Sequence, residues 1–373
     1  MENSLAKADR TQFYGLKLAK KRQLTKNTYA LELEVTSDLK EVFRFQAGQY
    51  VPIKLIYDGV LSVNDYSMTS APYEGVLELG IKINSQKSAA NAFLDMEIGE
   101  IVEVGKPQGR FTLISKPHEF RTILGFAAGI GITPILSHFK NILHQESRTR
   151  LFLFYGNKTS QEIAFKEELD DLVTKYPDRL QVFHFLSQEE VSDSLLKGRL
   201  DAFKLKLIIN QILHLDDTDE ESTIWDSVDE VLICGKGEMI KSLANACFDH
   251  GIPKKNIHFE LFQEFNEDIY PQEEAFPLIE NIEVDFKLMD EVHHTTFDNN
   301  ETRLLQKLLI QGFPVPYSCK SGICGVCQCK IEEGKVELLE NEYLTEKEEE
   351  EGYVLACMSV VMSEKVKVNF DSI

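Results

Sequence analysis

Thr122-Ile-Leu-Gly-Phe-Ala-Ala-Gly129-Ile-Gly131-Ile-Thr133-Pro134 sets the architecture of the middle of this chain. Thr122 to Ala127 reads as a buried strand. Ile132, Ile135, Leu136, Phe139 and Ile142 then recur at helical spacing. Between them Gly129 and Gly131 permit a tight turn, and Pro134 suits the first turn of the helix. A strand that feeds a glycine turn and opens a helix is built to meet phosphate. Glycines let the anion approach the backbone, and the helix N-terminus attracts its charge. A bare Gly-x-Gly turn is by itself a weak sign.

The same strand-then-helix rhythm continues through Leu151–Tyr155, Leu180–Leu186, Glu230–Cys234 and Ile257–Phe262. It predicts an α/β doubly wound parallel sheet over residues 117–263, interrupted by an exposed loop at Leu215–Ser222. Upstream, over 10–116, the period drops to two. Tyr29, Leu31, Leu33 and Val35 alternate with polar or small residues, and Val51, Ile53 and Leu55 do the same, as in a small antiparallel β-barrel. Downstream, residues 264–277 are polar, carry Pro271 and Pro277, and read as a linker. A third domain follows over 278–373. Ile282–Leu288 and His293–Phe297 resemble a hairpin, and Asp298-Asn-Asn-Glu301 looks like a capping box that starts a helix through Gln311.

In that third domain lies Cys319-Lys-Ser-Gly-Ile-Cys324-Gly-Val-Cys327, with Cys357 after 29 intervening residues. The C-x4-C-x2-C spacing plus one distant cysteine is the plant-type [2Fe–2S] ligand pattern. Gly322 and Gly325 let the backbone approach the cluster sulfides. Cys319, Cys324, Cys327 and Cys357 are the expected metal ligands, on an α+β β-grasp ferredoxin domain. Cys247 and Cys329 fall outside the spacing and read as structural.

Composition narrows the field. The chain has 373 residues and seven cysteines, an odd number. Met1-Glu-Asn-Ser-Leu-Ala-Lys7 has no apolar stretch of signal-peptide length, and no run of 18 apolar residues exists. The expectation is a cytoplasmic protein that does not span a membrane, with thiols serving a metal rather than disulfides. A net charge of −21 without a basic tract argues against nucleic acid as a partner. Residues 278–373 carry net −10. Solubility and the steering of a basic partner both account for this, and Glu348–Glu351 reads as a solvated helix face.

Further motifs carry a family resemblance. Phe45-Gln-Ala-Gly48-Gln49-Tyr50 precedes Asn64-Asp65-Tyr66-Ser67-Met68, and Cys234-Gly235 precedes Met239. Together with the Gly129–Pro134 turn, these resemble the ferredoxin-NADP reductase superfamily. The resemblance implies FAD along Tyr66, with Ser67 near the flavin N5 and Met68 beside it. Lys82 and the turn at Ser88, Ala89 and Ala90 would meet the FAD pyrophosphate. Gly129, Gly131 and Thr133 would meet the nicotinamide nucleotide, with Cys234, Gly235 and Met239 at the nicotinamide end. Ser67, Thr133, Cys234 and Glu260 are then the candidate catalytic residues. A buried strand cysteine and an edge-strand carboxylate are the plainer accounts of Cys234 and Glu260. The chain departs from the family at Asn64, which replaces an Arg that pairs with the pyrophosphate, and at Lys236, which replaces a Pro.

A closer likeness runs through Val104-Gly-Lys-Pro-Gln-Gly-Arg-Phe111, Tyr155-Gly-Asn-Lys-Thr-Ser-Gln161, Lys175-Tyr-Pro-Asp-Arg-Leu180, Leu196-Lys-Gly-Arg-Leu-Asp201 and Gly352-Tyr-Val-Leu-Ala-Cys357. These stretches look like the reductase subunits of phenylacetyl-CoA epoxidases. The likeness implies NADPH (or NADH) as donor and a di-iron oxygenase or similar acceptor protein. Lys158 and Ser160 would hold a 2′-phosphate, or form an ordinary polar turn. Nicotinamide releases two electrons together and a [2Fe–2S] cluster takes one at a time, so a flavin between them completes the chain. Two rivals stand beside this reading. One keeps the machinery but serves a fatty-acyl desaturase or another hydroxylase. The other is a ferredoxin-like carrier whose flavin site has decayed, as Asn64 hints.

Overall fold

The computed structural model describes residues 11–83, 89–213, 224–263, 265, 267–270, 276–317, 320, 322, 325–339, 341 and 343–372. The expected loop at Leu215–Ser222, together with Ser88, Cys319 and Cys324, lies outside them. Cα packing divides the chain into one unit ending at Phe262 and another beginning at Gln263.

The first unit opens with a curled antiparallel sheet. Its strands are β1 (Phe13–Thr25), β2 (Thr28–Glu34), β3 (Tyr50–Tyr57), β4 (Val60–Ser67), β5 (Leu77–Lys82) and, after the short helix α1 (Ala92–Asp95), β6 (Ile101–Gly105). The order is β4-β3-β6-β1-β2-β5. A bridge between Met68 and Leu79 joins the two edges, so the sheet closes on itself. The alternation read from the sequence is the cause. Leu31, Leu33, Val51, Ile53 and Leu55 all point into one core with Leu16, Leu18, Val102 and Val104.

The same unit continues into a five-stranded parallel sheet. Its elements are β7 (Thr122–Ala128), α2 (Ile132–Gln145), β8 (Arg150–Asn157), α3 (Lys166–Lys175), β9 (Leu180–Leu186), α4 (Ala202–Gln211), β10 (Val228–Gly235), α5 (Gly237–Asp249) and β11 (Ile257–Leu261). The order is β11-β10-β7-β8-β9, with every neighbouring pair parallel. Chain direction across the sheet therefore reverses between β7 and β10. A crevice outside the carboxyl ends of the strands at such a reversal is where doubly wound sheets bind ligands. The helical stripe Ile132, Ile135, Leu136, Phe139 and Ile142 packs on this sheet, as its spacing predicts.

The second unit holds β12 (Glu280–Leu288), β13 (Glu291–Asn299), α6 (Leu304–Ile310), β14 (Gln328–Glu333), β15 (Val336–Leu338), α7 (Glu346–Glu350), β16 (Tyr353–Leu355), β17 (Ser359–Val361) and β18 (Lys365–Asn369). The main sheet runs β13-β12-β18-β14-β16, and β15 pairs with β17. Strand β18 lies parallel to β12 and antiparallel to β14. Helix α7 buries none of its residues and is closed by a capping box between Thr345 and Glu348, so the glutamate run is a solvated helix.

One local expectation is corrected. The helix after the hairpin starts at Leu304, not at the Asp298–Glu301 segment, whose first two residues end strand β13. The side chains there have other partners. Buried Asn300 donates from Nδ2 to the carbonyls of Pro277 (3.1 Å) and Val361 (3.0 Å), and its Oδ1 accepts from the N–H of Ile279 (3.0 Å). Asn299 Oδ1 accepts from the N–H of Glu301 (3.2 Å). These bonds give the backbone an alternative to helix, and the helix is delayed by one turn. In the stretch expected as a linker, Phe265, Ile269 and Tyr270 are buried, which its polar composition did not suggest.

Candidate functional site

The crevice at the strand reversal is lined by the ends of β7 and β10. Beyond β7, Gly129 sits at φ +54°, where a side chain would be strained. Tyr155 on the neighbouring strand β8 donates its hydroxyl to the Gly129 carbonyl at 2.9 Å, and Thr133 Oγ1 donates to the carbonyl of Ile130 at 3.0 Å. The turn is thus held from both sides. Gly131 packs on the Cys234 carbonyl so closely that an added Cβ would overlap it. Among the described residues, a Cβ at Gly129 would meet only the Lys82 ammonium, at 3.8 Å. A cation beside an open glycine turn, at the head of a 14-residue helix, suits a phosphate group.

Strand register then brings the other candidates together. Cys234 on β10 is the direct neighbour of Glu260 on β11. Ser67, at the end of barrel strand β4, donates to Glu260 Oε2 at 3.2 Å. Barrel and sheet therefore meet through a buried hydroxyl–carboxyl pair. Burial pushes the Glu260 carboxyl up to about 8, the Ser67 hydrogen bond opposes the shift, and the Asp65 charge adds to it. Burial, with a smaller contribution from Glu260, also raises the Cys234 thiol well above its ordinary range, so it stays protonated. Thr133 is buried and faces Gly80 of the barrel, where a Cβ would collide with its methyl group. Gly235 and Met239 adjoin each other behind Cys234.

Among the other candidates, Asn64 Nδ2 lies 3.3 Å from Ser62 Oγ, and its side chain also bonds the Tyr66 phenol, whose own proton burial holds tightly. Tyr66 stands edge-on to Phe93, with ring centroids 5.5 Å apart. Met68 is buried in the barrel core, so its side chain packs there and only its backbone is left for a ligand. Ala89 and Ala90 form a half-buried turn before α1. Lys158 is exposed. Ser160 is engaged by a residue that sequence reasoning missed. Its N–H (2.7 Å) and hydroxyl (2.9 Å) both donate to the Glu189 carboxylate. Tyr155 was missed as well. Strand periodicity marks it only as core, and no spacing rule links it to Gly129.

In the second unit, Cys327 and Cys357 are buried. Pairing of β14 with β16 sets Gln328 opposite Leu355, and the N–H of Ala356 donates to the Cys327 carbonyl at 3.1 Å. The two cysteines are thereby drawn together from 30 positions apart in the sequence. Gly322 and Gly325 take φ of +75° and +68°, a backbone conformation that favours glycine. The ring of Tyr343 lies against Gly325 so closely that a Cβ there would overlap it. The guanidinium of Arg303 donates to the Cys357 carbonyl at 3.2 Å. Cys319 and Cys324 are outside the described residues. A buried thiol beside a left-handed glycine turn, with a second buried thiol from the turn after β16, fits part of a thiolate ligand set.

Comparison with known proteins agrees with this division of labour. Residues 15–113 match the "Oxidoreductase FAD-binding domain" family, 126–245 the "Oxidoreductase NAD-binding domain" family and 287–362 the "2Fe-2S iron-sulfur cluster binding domain" family. A subunit of the 1,2-phenylacetyl-CoA epoxidase from Escherichia coli strain K12 is 30% identical over 97% of this chain and 99% of that protein. The ferredoxin reductase component of 3-ketosteroid-9-alpha-monooxygenase from Rhodococcus rhodochrous is 29% identical over 93% of each. In fold the chain resembles phthalate dioxygenase reductase, with a TM-score of 0.53 over 98% of this chain and 99% of that one at 18% identity. No helix among the described residues is long and apolar enough to cross a membrane. The chain belongs to the ferredoxin-NADP reductase superfamily, among the reductases that join FAD-binding, NAD-binding and C-terminal [2Fe–2S] domains to serve oxygenases.

Proposed function

We propose that the chain takes electrons from NADPH or NADH and delivers them, through FAD and a [2Fe–2S] cluster, to a di-iron oxygenase of the phenylacetyl-CoA epoxidase type. The observation that carries the reading is the Ser67–Glu260 pair, which ties barrel to sheet beside Cys234 and the glycine turn. Similarity over almost the full length of the epoxidase component supports the choice of acceptor. Bound flavin would supply the conversion between paired and single electrons, and the cluster a one-electron outlet.

The chain's own residues do the positioning. The N–H groups of the Gly129–Gly131 turn bind nucleotide phosphate. Lys82, Ala89, Ala90 and Ser88 serve the flavin pyrophosphate, while Asn64, Tyr66 and the Met68 backbone hold the flavin. Ser67 and Thr133 orient the reacting rings, and Glu260 keeps a proton next to Ser67 below about pH 8. The neutral Cys234 thiol packs against the nicotinamide end with Gly235 and Met239. No acid or base is needed to break a substrate bond. Cys319, Cys324, Cys327 and Cys357 hold the cluster. We assign 10–116 to flavin, 117–263 to nucleotide, 264–277 to a connection and 278–373 to the cluster.

At the far end of the nucleotide, the geometry weighs towards NADH. Lys158 favours a 2′-phosphate, but Ser160 already donates to Glu189, and a phosphate there would face that carboxylate. A second acceptor has support of its own: the 3-ketosteroid monooxygenase reductase component is almost equally similar. The deciding experiment mixes holoprotein with each reduced nucleotide without oxygen, follows bleaching of the flavin and cluster bands, and then adds purified oxygenases. The reading expects bleaching and delivery to the epoxidase. Bleaching with delivery only to another oxygenase would replace the acceptor, and no bleaching would end the reading.

A further inference from the structure

Arg303 sits immediately before helix α6, yet its side chain does not serve that helix. It turns to the segment that carries the last cysteine, where the guanidinium meets the Cys357 carbonyl at 3.2 Å and the Met358 sulfur at 3.3 Å. Its other face forms an ion pair with Asp268. Both side chains are largely withdrawn from solvent, with 19% and 27% exposure. Asp268 is followed by two buried residues, Ile269 and Tyr270. The structure thus sets one permanent positive charge against a ligand-bearing backbone and one negative charge behind it.

We propose that Arg303 raises the reduction potential of the cluster and that Asp268 tempers this, so that the pair sets how readily the outlet accepts an electron. The proposal rests on the assignment of Cys357 as a ligand. Reduction adds one negative charge to the cluster. A nearby guanidinium, which stays protonated at every working pH, stabilises that added charge, and a carboxylate opposes it. Nearby charge and hydrogen bonding are among the main determinants of iron–sulfur potentials. Partial burial keeps both effects from being screened away. The two residues therefore act with opposite sign, which a purely structural salt bridge would not do.

The test is a redox titration of the full-length holoprotein, with the reduced cluster counted by its electron paramagnetic resonance signal at a fixed poise near the wild-type midpoint. Arg303→Gln is expected to lower the reduced-to-oxidised ratio several-fold, and Arg303→Lys to restore most of it. Asp268→Asn is expected to raise the ratio several-fold, with the double variant between the two. Shifts in the same direction, or no shift in either, overturn the proposal. If Arg303→Gln fails to retain iron and sulfide, Asp268→Asn decides alone, and an unmoved ratio refutes. Wild-type protein without the signal would sink the ligand assignment as well. A wild-type signal with unmoved variants would sink only the role of Arg303 and Asp268.

Discussion

Replacing Glu260 with Gln should change how the flavin- and nucleotide-binding unit responds to pH. In the folded protein burial raises the carboxyl from 4.5 to about 8. The native state therefore binds the proton more tightly than the unfolded chain. Its contribution to stability is complete below pH 4.5 and drains away as pH rises to about 8. Each tenfold gain in proton affinity is worth about 1.36 kcal/mol, so the ceiling is about 5 kcal/mol. Between pH 6 and 8, where the native group itself begins to ionise, the loss is about 2 kcal/mol. For a unit of this size that corresponds to about 4–8 °C in melting temperature. Gln keeps the shape and still accepts from Ser67, but it cannot ionise. The assay is thermal release of flavin, read by its fluorescence, at pH 6, 7, 8 and 9 for both proteins. The wild-type melting temperature should fall relative to that of Glu260→Gln by about 4–8 °C between pH 6 and 8. Parallel profiles would show that the carboxyl is solvated, and the argument from burial would be wrong.

Three further outcomes are expected. Cys324→Ser should abolish the visible cluster bands while NAD(P)H oxidation by a dye that draws on the flavin persists, and loss of both activities would contradict separable modules. Asn64→Arg should tighten FAD by about 10- to 100-fold, the worth of one charge-assisted hydrogen bond, as measured by flavin fluorescence titration; an unchanged dissociation constant would remove Asn64 from the pyrophosphate. Glu189→Gln should shift the ratio of kcat/KM for NADPH over NADH upward by about tenfold, equivalent to roughly 1.4 kcal/mol of like-charge repulsion, and an unmoved ratio would place the 2′-position elsewhere.

How much was legible in the sequence follows from how far each signal reaches. The alternation of Leu31, Leu33, Val51 and Ile53, and the stripe from Ile132 to Ile142, are local patterns. They were legible because side-chain direction follows from period alone. The parallel sheet emerged from repeated strand–helix alternation, and the iron–sulfur domain from a cysteine spacing that chance rarely produces. The helix expected after Asp298 began later because Asn300 bonds Pro277 and Val361, partners that no local window contains. Glu189 at Ser160 and Tyr155 at Gly129 escaped for the same reason. Each depends on which strands are neighbours, and strand order is not written in any single segment. The pairing of Ser67 with Glu260, 193 positions apart, was reachable only as two separate expectations from family motifs.

Strand β18, last of the described strands in chain order, runs through the middle of the iron–sulfur sheet and joins β12 to β14. Its register sets Glu283 beside Lys365, so the centre of that sheet stays open until β18 itself has been synthesised. Closing so distant a pair is slow. A nascent chain can thus fold its flavin and nucleotide portions well before it has a place to receive iron. During that interval it would be a flavoprotein able to take electrons with no proper route to release them. Completion of the iron–sulfur sheet is then what would open an outlet for those electrons.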